Sequence, residues 1–233
     1  MVKFFNFFNI EIINKMIITW YNFMHKTIEN LNHIKNQINL NYKKNFEIIA
    51  VSKTFSIDQI LPLIKHGHLH YGENKVQEAI NKWSDVKLEY SDIKLHLIGR
   101  LQSNKAKLAV KLFDYIHSVD SEKIADEELK QNKKVKIFIQ VNIGDENQKS
   151  GITKKNLNEF YAYCKELELD IIGLMCIPPA NIDPKFFFQE MKLLTKKLDL
   201  SELSMGMSSD YIEAAKNSAT YLRIGSKIFG NRD

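Results

Sequence analysis

Short apolar runs alternate with stretches of helical periodicity along most of this chain, and that alternation restricts its fold more than any other feature. The first run, Ile48-Ile49-Ala50-Val51, has no polar interruption and leads into Ser52-Lys53-Thr54. Such a run predicts a strand buried on both faces, the kind found in parallel sheets. Further strands are predicted at residues 69–71, 94–98, 115–119, 135–143, 170–176, 202–206 and 220–224. Before the first strand, Ile28, Leu31, Ile34 and Ile38 recur at helical spacing over residues 27–40. After it, Ser56 and Gln59 form a capping box for a helix that Gly67 stops and Pro62 should kink. Val76, Ile80 and Trp83 mark the next helix, Ser103 is the expected N-cap of another, and Leu157, Phe160, Tyr161, Cys164 and Leu167 share a face of a helix starting at Thr153. Asp183-Pro184, an N-cap followed by proline in the first helical position, opens a helix with Phe187, Met191, Leu194 and Leu198 inward. Eight strands alternating with helices in a chain of 233 residues predict a (β/α)8 TIM barrel, with a doubly wound open sheet as the alternative.

Composition narrows the function classes. With 44% hydrophobic residues and no Pro/Gly/Ser-rich linker, residues 27–233 are expected to form one domain, and residues 1–26 an N-terminal extension, rich in Phe and Ile, preceding it. Asn6, Asn9, Glu11 and Asn14 interrupt that extension, so neither a signal peptide nor a membrane span is predicted there, and a cytoplasmic protein is expected. The net charge of +5 comes from lysines scattered among acids and asparagines, a solvated surface rather than the one-sided patch nucleic acid needs. Cys164 and Cys176 lack metal-ligand spacing and read as free core thiols. His66, His68 and His70 alternate like a metal stripe, but Gly67 breaks the period; His96, inside a strand, reads as a packed core histidine.

If the strands close into a barrel, the residues after each of them converge on one face, where such folds place their chemistry. Lys53 then stands at the end of strand one, where a partly desolvated amine can capture an aldehyde as a Schiff base. Gly72-Glu73-Asn74, Gly99, Lys149-Ser150-Gly151, residues 204–208 and Arg223-Ile224-Gly225-Ser226 join it. In Gly225-Ser226 the backbone can approach a ligand closely, and an amide and a hydroxyl can both donate to phosphate oxygens. Ser204-Met205-Gly206-Met207-Ser208 adds small residues and hydroxyls. An amine for an aldehyde and a cradle for a phosphate are the combined expectation.

The residues that carry these features also resemble a known family. Ala50-Val51-Ser52-Lys53-Thr54, the segment from Tyr71 to Glu78, that from His96 to Lys105, Gln140-Val141-Asn142-Ile143, Lys149-Ser150-Gly151, Gly173-Leu174-Met175, the segment from Leu203 to Ser208 and that from Arg223 to Gly230 follow, in order, the pattern of the pyridoxal phosphate homeostasis proteins, also called proline synthetase co-transcribed homologues. The resemblance implies a barrel like the N-terminal domain of alanine racemase, with pyridoxal 5'-phosphate (PLP) held on Lys53 as a Schiff base. It further implies that Ser204, Gly225 and Ser226 grip the phosphate, that Arg223 faces the pyridine nitrogen, and that Asn74 lines the ring. Arg100 stands where the family often has proline, Ser226 where threonine is frequent, and the segment before Thr27 is long. An arginine at the pyridine nitrogen makes the ring a weak electron sink, and alanine racemases take their opposing tyrosine from an added β-domain that is not expected here. The implied role is cofactor homeostasis with little or no catalysis, by a monomer whose partners are PLP and PLP-dependent apoenzymes. A small PLP-dependent racemase or lyase is the alternative.

Overall fold

The computed structural model describes residues 26–40, 42, 45–129 and 135–230. Expectations for residues 1–25 lie outside the described residues. The strands β1 (Glu47–Val51), β2 (His70–Glu73), β3 (Lys94–Leu97), β4 (Tyr115–Val119), β5 (Lys136–Val141), β6 (Ile171–Cys176), β7 (Glu202–Ser204) and β8 (Tyr221–Ile224) form a closed parallel barrel in sequence order. Closure is made by β1 against β8, with Ile49 opposite Arg223 and Ala50 opposite Ile224. Helix α1 covers residues 26–40, followed by α2 (Ile57–Lys65), α3 (Val76–Glu89), α4 (Ala106–Leu112), α5 (Glu122–Leu129), α6 (Leu157–Glu166), α7 (Lys185–Lys197), α8 (Tyr211–Lys216) and α9 (Ser226–Phe229). Short 3-10 turns, Ser103–Lys105 and Lys154–Asn156, precede α4 and α6. The chain is a (β/α)8 barrel with an added N-terminal helix.

Side chains that alternate along each strand feed two separate cores. Ile48 and Ala50 of β1, Ile116 of β4, Ile137 and Ile139 of β5, and Leu222 and Ile224 of β8 pack outward against the helices. Ile49, Tyr115, Phe138, Met175 and Tyr221 point inward and fill the barrel. Both faces are closed to solvent: the outer one is apolar, whereas the barrel interior also holds the buried polar side chains of His96, His117, Ser204 and Arg223. On α1, Leu31, Ile34 and Ile38 are buried as their spacing predicts, and Asn30 donates to the Ile228 carbonyl at 3.0 Å, tying this helix to α9.

Local chemistry sets the element ends, with three departures from expectation. Gln59 accepts from the Ser56 amide at 3.0 Å, completing the capping box, and Gly67 ends α2 with φ +85°, while Pro62 lies buried inside the helix. Ser103 is the first residue of a 3-10 turn, with Gln102 in the cap position. The Lys185 amide donates to Asp183 at 3.0 Å, but the regular helix begins only at Lys185, with Pro184 as its cap residue. Along α7, Met191 is buried and Phe187, Leu194 and Leu198 pack partly buried against the core as expected, but the fully buried aromatic is Phe188, which lies outside the inner face that the spacing predicts.

Candidate functional site

Lys53 follows β1 on a turn whose shape is imposed from below. The carboxylate of Glu73, fully buried at the end of β2, accepts from the Ser52 hydroxyl at 2.8 Å, from Lys82 at 3.0 Å and from the Trp83 indole at 3.0 Å. Lys82 also donates to the Ser52 carbonyl at 2.9 Å, while the Thr54 amide donates to Glu78 at 2.9 Å. Thr54 has φ +71°, a conformation unfavourable for a β-branched residue that persists only where its surroundings impose it. Phe55 closes the turn by packing on Phe229 of α9, ring centroids 4.8 Å apart.

Lys53, half-buried, opens onto a cavity of about 370 Å³ lined also by Val51, Asn74, Ile98, Ile177, Met207, Ser208, Ser209, Arg223, Gly225 and Ser226. Five of the six expected site residues, Lys53, Asn74, Arg223, Gly225 and Ser226, are therefore brought to one space. Asn74 is fixed by Gly99, where a Cβ would come within 2.3 Å of the Asn74 carbonyl oxygen. Gly225 sits where a Cβ would lie 3.3 Å from the Val51 carbonyl oxygen, so β8 and β1 meet closely under the cavity. The Lys227 amide lies 3.4 Å from the Ser208 hydroxyl, linking the loop after β7 to α9.

Ser204 departs from the expectation that it grips phosphate. It points into the barrel with 0% exposure, does not line the cavity, and its hydroxyl already accepts from Nη1 of Arg223 at 2.6 Å and lies 2.9 Å from Nδ1 of His117. The cavity serines of the β7–α8 loop are Ser208 and Ser209 instead. Arg223, 4% exposed, also donates through Nη2 to the Cys176 carbonyl at 2.8 Å, and burial works against its charge. Lys149, Ser150 and Gly151 do not reach this cavity. They line a cleft of about 830 Å³ with Arg100 and Asp120, and a second cleft of about 850 Å³ runs along residues 177–184 and the start of α8. Neither larger cleft contains Lys53, Arg223 or Gly225.

Sequence reasoning missed the supports of the site. Glu73 and Lys82 form a buried ion pair holding the Lys53 turn, and the signal was a carboxylate at the end of an otherwise uncharged strand. His70, His96 and His117, inward on three successive strands, make ring-to-ring contacts of 2.8 Å and 2.9 Å and end on Ser204. His96 is thus the packed core histidine expected, while His66 is exposed at the end of α2 and His68 bonds to the His70 carbonyl at 3.0 Å. Both cysteines are buried thiols, each pushed up to about 12 by burial. Among the described residues, no helix is long and apolar enough to cross a membrane.

The amine, buried guanidinium, glycine and serine hydroxyls are a donor set suited to a ligand with an aldehyde, a ring atom that accepts a hydrogen bond and an anionic group. Val51, Ile98, Ile177 and Met207 supply the apolar walls such a ring needs. The family model of the alanine racemase N-terminal domain matches residues 25–233. The pyridoxal phosphate homeostasis protein of Vibrio alginolyticus is 36% identical over 227 residues, covering 88% of this chain and 97% of that protein. The protein of the same name from Synechocystis sp. is 39% identical over 201 residues, covering 79% and 91%. The structure of PipY from Synechococcus elongatus PCC7942 with PLP bound superposes with a TM-score of 0.78 at 32% identity, covering 88% of this chain and 100% of that one. An alanine racemase from Acinetobacter baumannii, at 16% identity and a TM-score of 0.69, shares the fold.

Proposed function

This chain belongs to the pyridoxal phosphate homeostasis proteins of the alanine racemase N-terminal-domain family, and on that premise we propose that it binds pyridoxal 5'-phosphate in the cavity at Lys53 to keep the cofactor available inside the cell. The observation that carries the reading is the convergence of Lys53, Arg223 and the Gly225-Ser226 turn on one cavity. Lys53 Nζ supplies the amine for the aldehyde, and the Glu73–Lys82 pair beneath it fixes its turn. Ser226, the Gly225 backbone and Ser208 hold the phosphate, with Ser204 serving Arg223 rather than the phosphate. Asn74 borders the ring, and Arg223 meets the pyridine nitrogen.

When bound, the cofactor can stabilise charge at a substrate carbon only as far as its ring nitrogen accepts a proton. A guanidinium remains protonated and presents only donors, so Arg223 disfavours a proton on that nitrogen. The residues of this chain therefore bind and orient the cofactor more than they activate it, and the function we infer is holding it without substantial catalysis. That relatives are named for homeostasis, not for a reaction, supports this.

The test is borohydride reduction of the PLP-loaded protein followed by peptide mapping, together with proton NMR of an amino acid in deuterated buffer. The expected result is a reduced adduct at Lys53, absent in Lys53→Ala, with no α-proton exchange at enzymatic rates of about one per second or more. An adduct at another lysine overturns the binding assignment, and fast exchange overturns the carrier role.

A further inference from the structure

Beneath the cavity, a continuous row of polar groups crosses the barrel from its amino-terminal mouth to Arg223. Glu47 Oε2 lies 3.6 Å from His70 Nε2, His70 Nδ1 lies 2.8 Å from His96 Nε2, and His96 Nδ1 lies 2.9 Å from His117 Nε2. His117 Nδ1 then meets Ser204 Oγ at 2.9 Å, and Arg223 Nη1 donates to that oxygen at 2.6 Å. His96 and His117 are fully buried and stacked on Tyr115 and Phe138, with centroids 4.2 Å apart in both pairs.

The two ends of the row dictate one direction. Arg223 can only donate, so Ser204 accepts from it, and the serine hydrogen finds its partner at His117 Nδ1. His117 must then carry its proton on Nε2 and donate to His96 Nδ1, and His96 in turn donates through Nε2 to His70 Nδ1. This leaves the His70 Nε2 proton facing Glu47, a carboxylate that can only accept when ionised. The reverse direction would set an unprotonated His70 nitrogen against that carboxylate and leave the serine hydrogen without this partner. Burial keeps the rings neutral: His70 is pushed down to about 4, and His96 and His117 lie well below their ordinary range.

We propose that His70, His96 and His117 are positioning residues: a one-way row, hydrogen-bonded from His70 to Arg223 and with the Glu47 carboxylate 3.6 Å from its outer end as an electrostatic anchor, that locks the Ser204 hydroxyl and so fixes the guanidinium of Arg223 for the cofactor ring. The row locks orientation rather than conducting protons, because its last member is a guanidinium that does not release one. The inference rests on the proposed contact between Arg223 and the pyridine nitrogen.

The experiment is nitrogen-15 NMR of the full-length histidine- and arginine-labelled protein, with and without PLP, for the native sequence, His96→Gln and His96→Leu. A glutamine amide offers an acceptor and a donor side by side and can preserve the direction; leucine cannot. The native protein should show all three rings protonated on Nε2 and two resolved Nη signals for Arg223. His96→Gln should retain the His117 tautomer and both Nη signals, whereas His96→Leu should mix the tautomers and merge the signals. In the loaded protein, the cofactor's absorption band should move in His96→Leu alone. Any ring protonated on Nδ1 in the native protein, or identical Arg223 spectra in the two variants, overturns the proposal. If the His96 variants do not fold, Glu47→Ala at the solvent end serves: His70 should populate both tautomers, and an unchanged single tautomer overturns the anchor. If the tautomer and Nη signals respond as expected while the band stays fixed, the row stands and the ring contact of Arg223 is what fails.

Discussion

At the scale of single residues, two serines with similar sequence settings have opposite structural ones. Ser204 is sealed in the barrel and accepts a charged hydrogen bond from Arg223, whereas Ser226 is exposed at the start of α9 and borders the cavity. Ser204→Ala should therefore cost about 1.5–3 kcal/mol of folding stability, because a buried guanidinium donor is left unpaired. Ser226→Ala should change folding stability by less than about 0.5 kcal/mol. Its effect should appear in cofactor retention, where loss of a bond to a charged phosphate weakens affinity about tenfold or more. Urea unfolding of the cofactor-free variants, paired with PLP titration, measures both, and equal stability losses would contradict the division of roles. Nothing in Ser204-Met205-Gly206 told these serines apart from the sequence side. Ser204 ends β7 and Ser226 opens α9 just past β8, and only closure of the barrel shows that the first faces inward onto Arg223 while the second borders the cavity.

Elements, by contrast, were largely legible, because a strand buried on both faces announces itself as an unbroken apolar run. Tyr115–Val119 has the expected bounds, and the other strands differ from expectation by a few residues at their ends. Helix α5 went unread because its Glu122–Leu129 sequence is mostly acidic, and Ile124 and Ala125 alone give too little periodicity. The connections that hold the site were not legible, since they are made between elements: Glu73 of β2 reaches Lys82 and Trp83 of α3, and Gly99 after β3 packs on Asn74 after β2. That last contact carries a prediction. A methyl group added at Gly99 would lie 2.7 Å from the Asn74 Cα as well as 2.3 Å from its carbonyl oxygen, and backbone cannot swing aside as a flexible side chain can. Gly99→Ala should destabilise by about 1–3 kcal/mol through overpacking and weaken PLP binding by displacing Asn74. Gly67→Ala, at a helix end with open space around its Cβ position but φ +85°, is the control: it should lower stability without altering affinity. Equal affinities for Gly99→Ala and the native protein would separate Asn74 from the site.

For the whole molecule, the buried histidines that organise the barrel interior also set its response to acid. His68 is pushed down to about 3 and His70 to about 4 by burial, and His96 and His117 are lowered as well, all from an ordinary value of 6.5. In the unfolded chain these rings take up protons as pH falls through 6.5, while the native rings stay neutral until their lowered values are reached. The unfolded state then binds more protons than the native one, so stability must fall on acidification, each ring contributing about 1.4 kcal/mol per pH unit across its own window. Glu47 and Asp120 act in the opposite sense. Burial raises both carboxyls, so the native state takes up their protons at a higher pH than the unfolded state and recovers part of the loss toward the acid end. Among the described residues, four lowered histidines against two raised carboxyls predict a net loss of stability that begins near pH 6.5 and continues toward pH 4. The measurement is the urea midpoint of the cofactor-free protein across that range, for the native sequence and for His96→Gln. Removing one buried titrating ring should make the decline shallower by about 1.4 kcal/mol per pH unit, whatever the variant's stability at neutral pH. A midpoint that stays flat or rises on acidification would mean that the histidine rings are not held neutral inside the barrel.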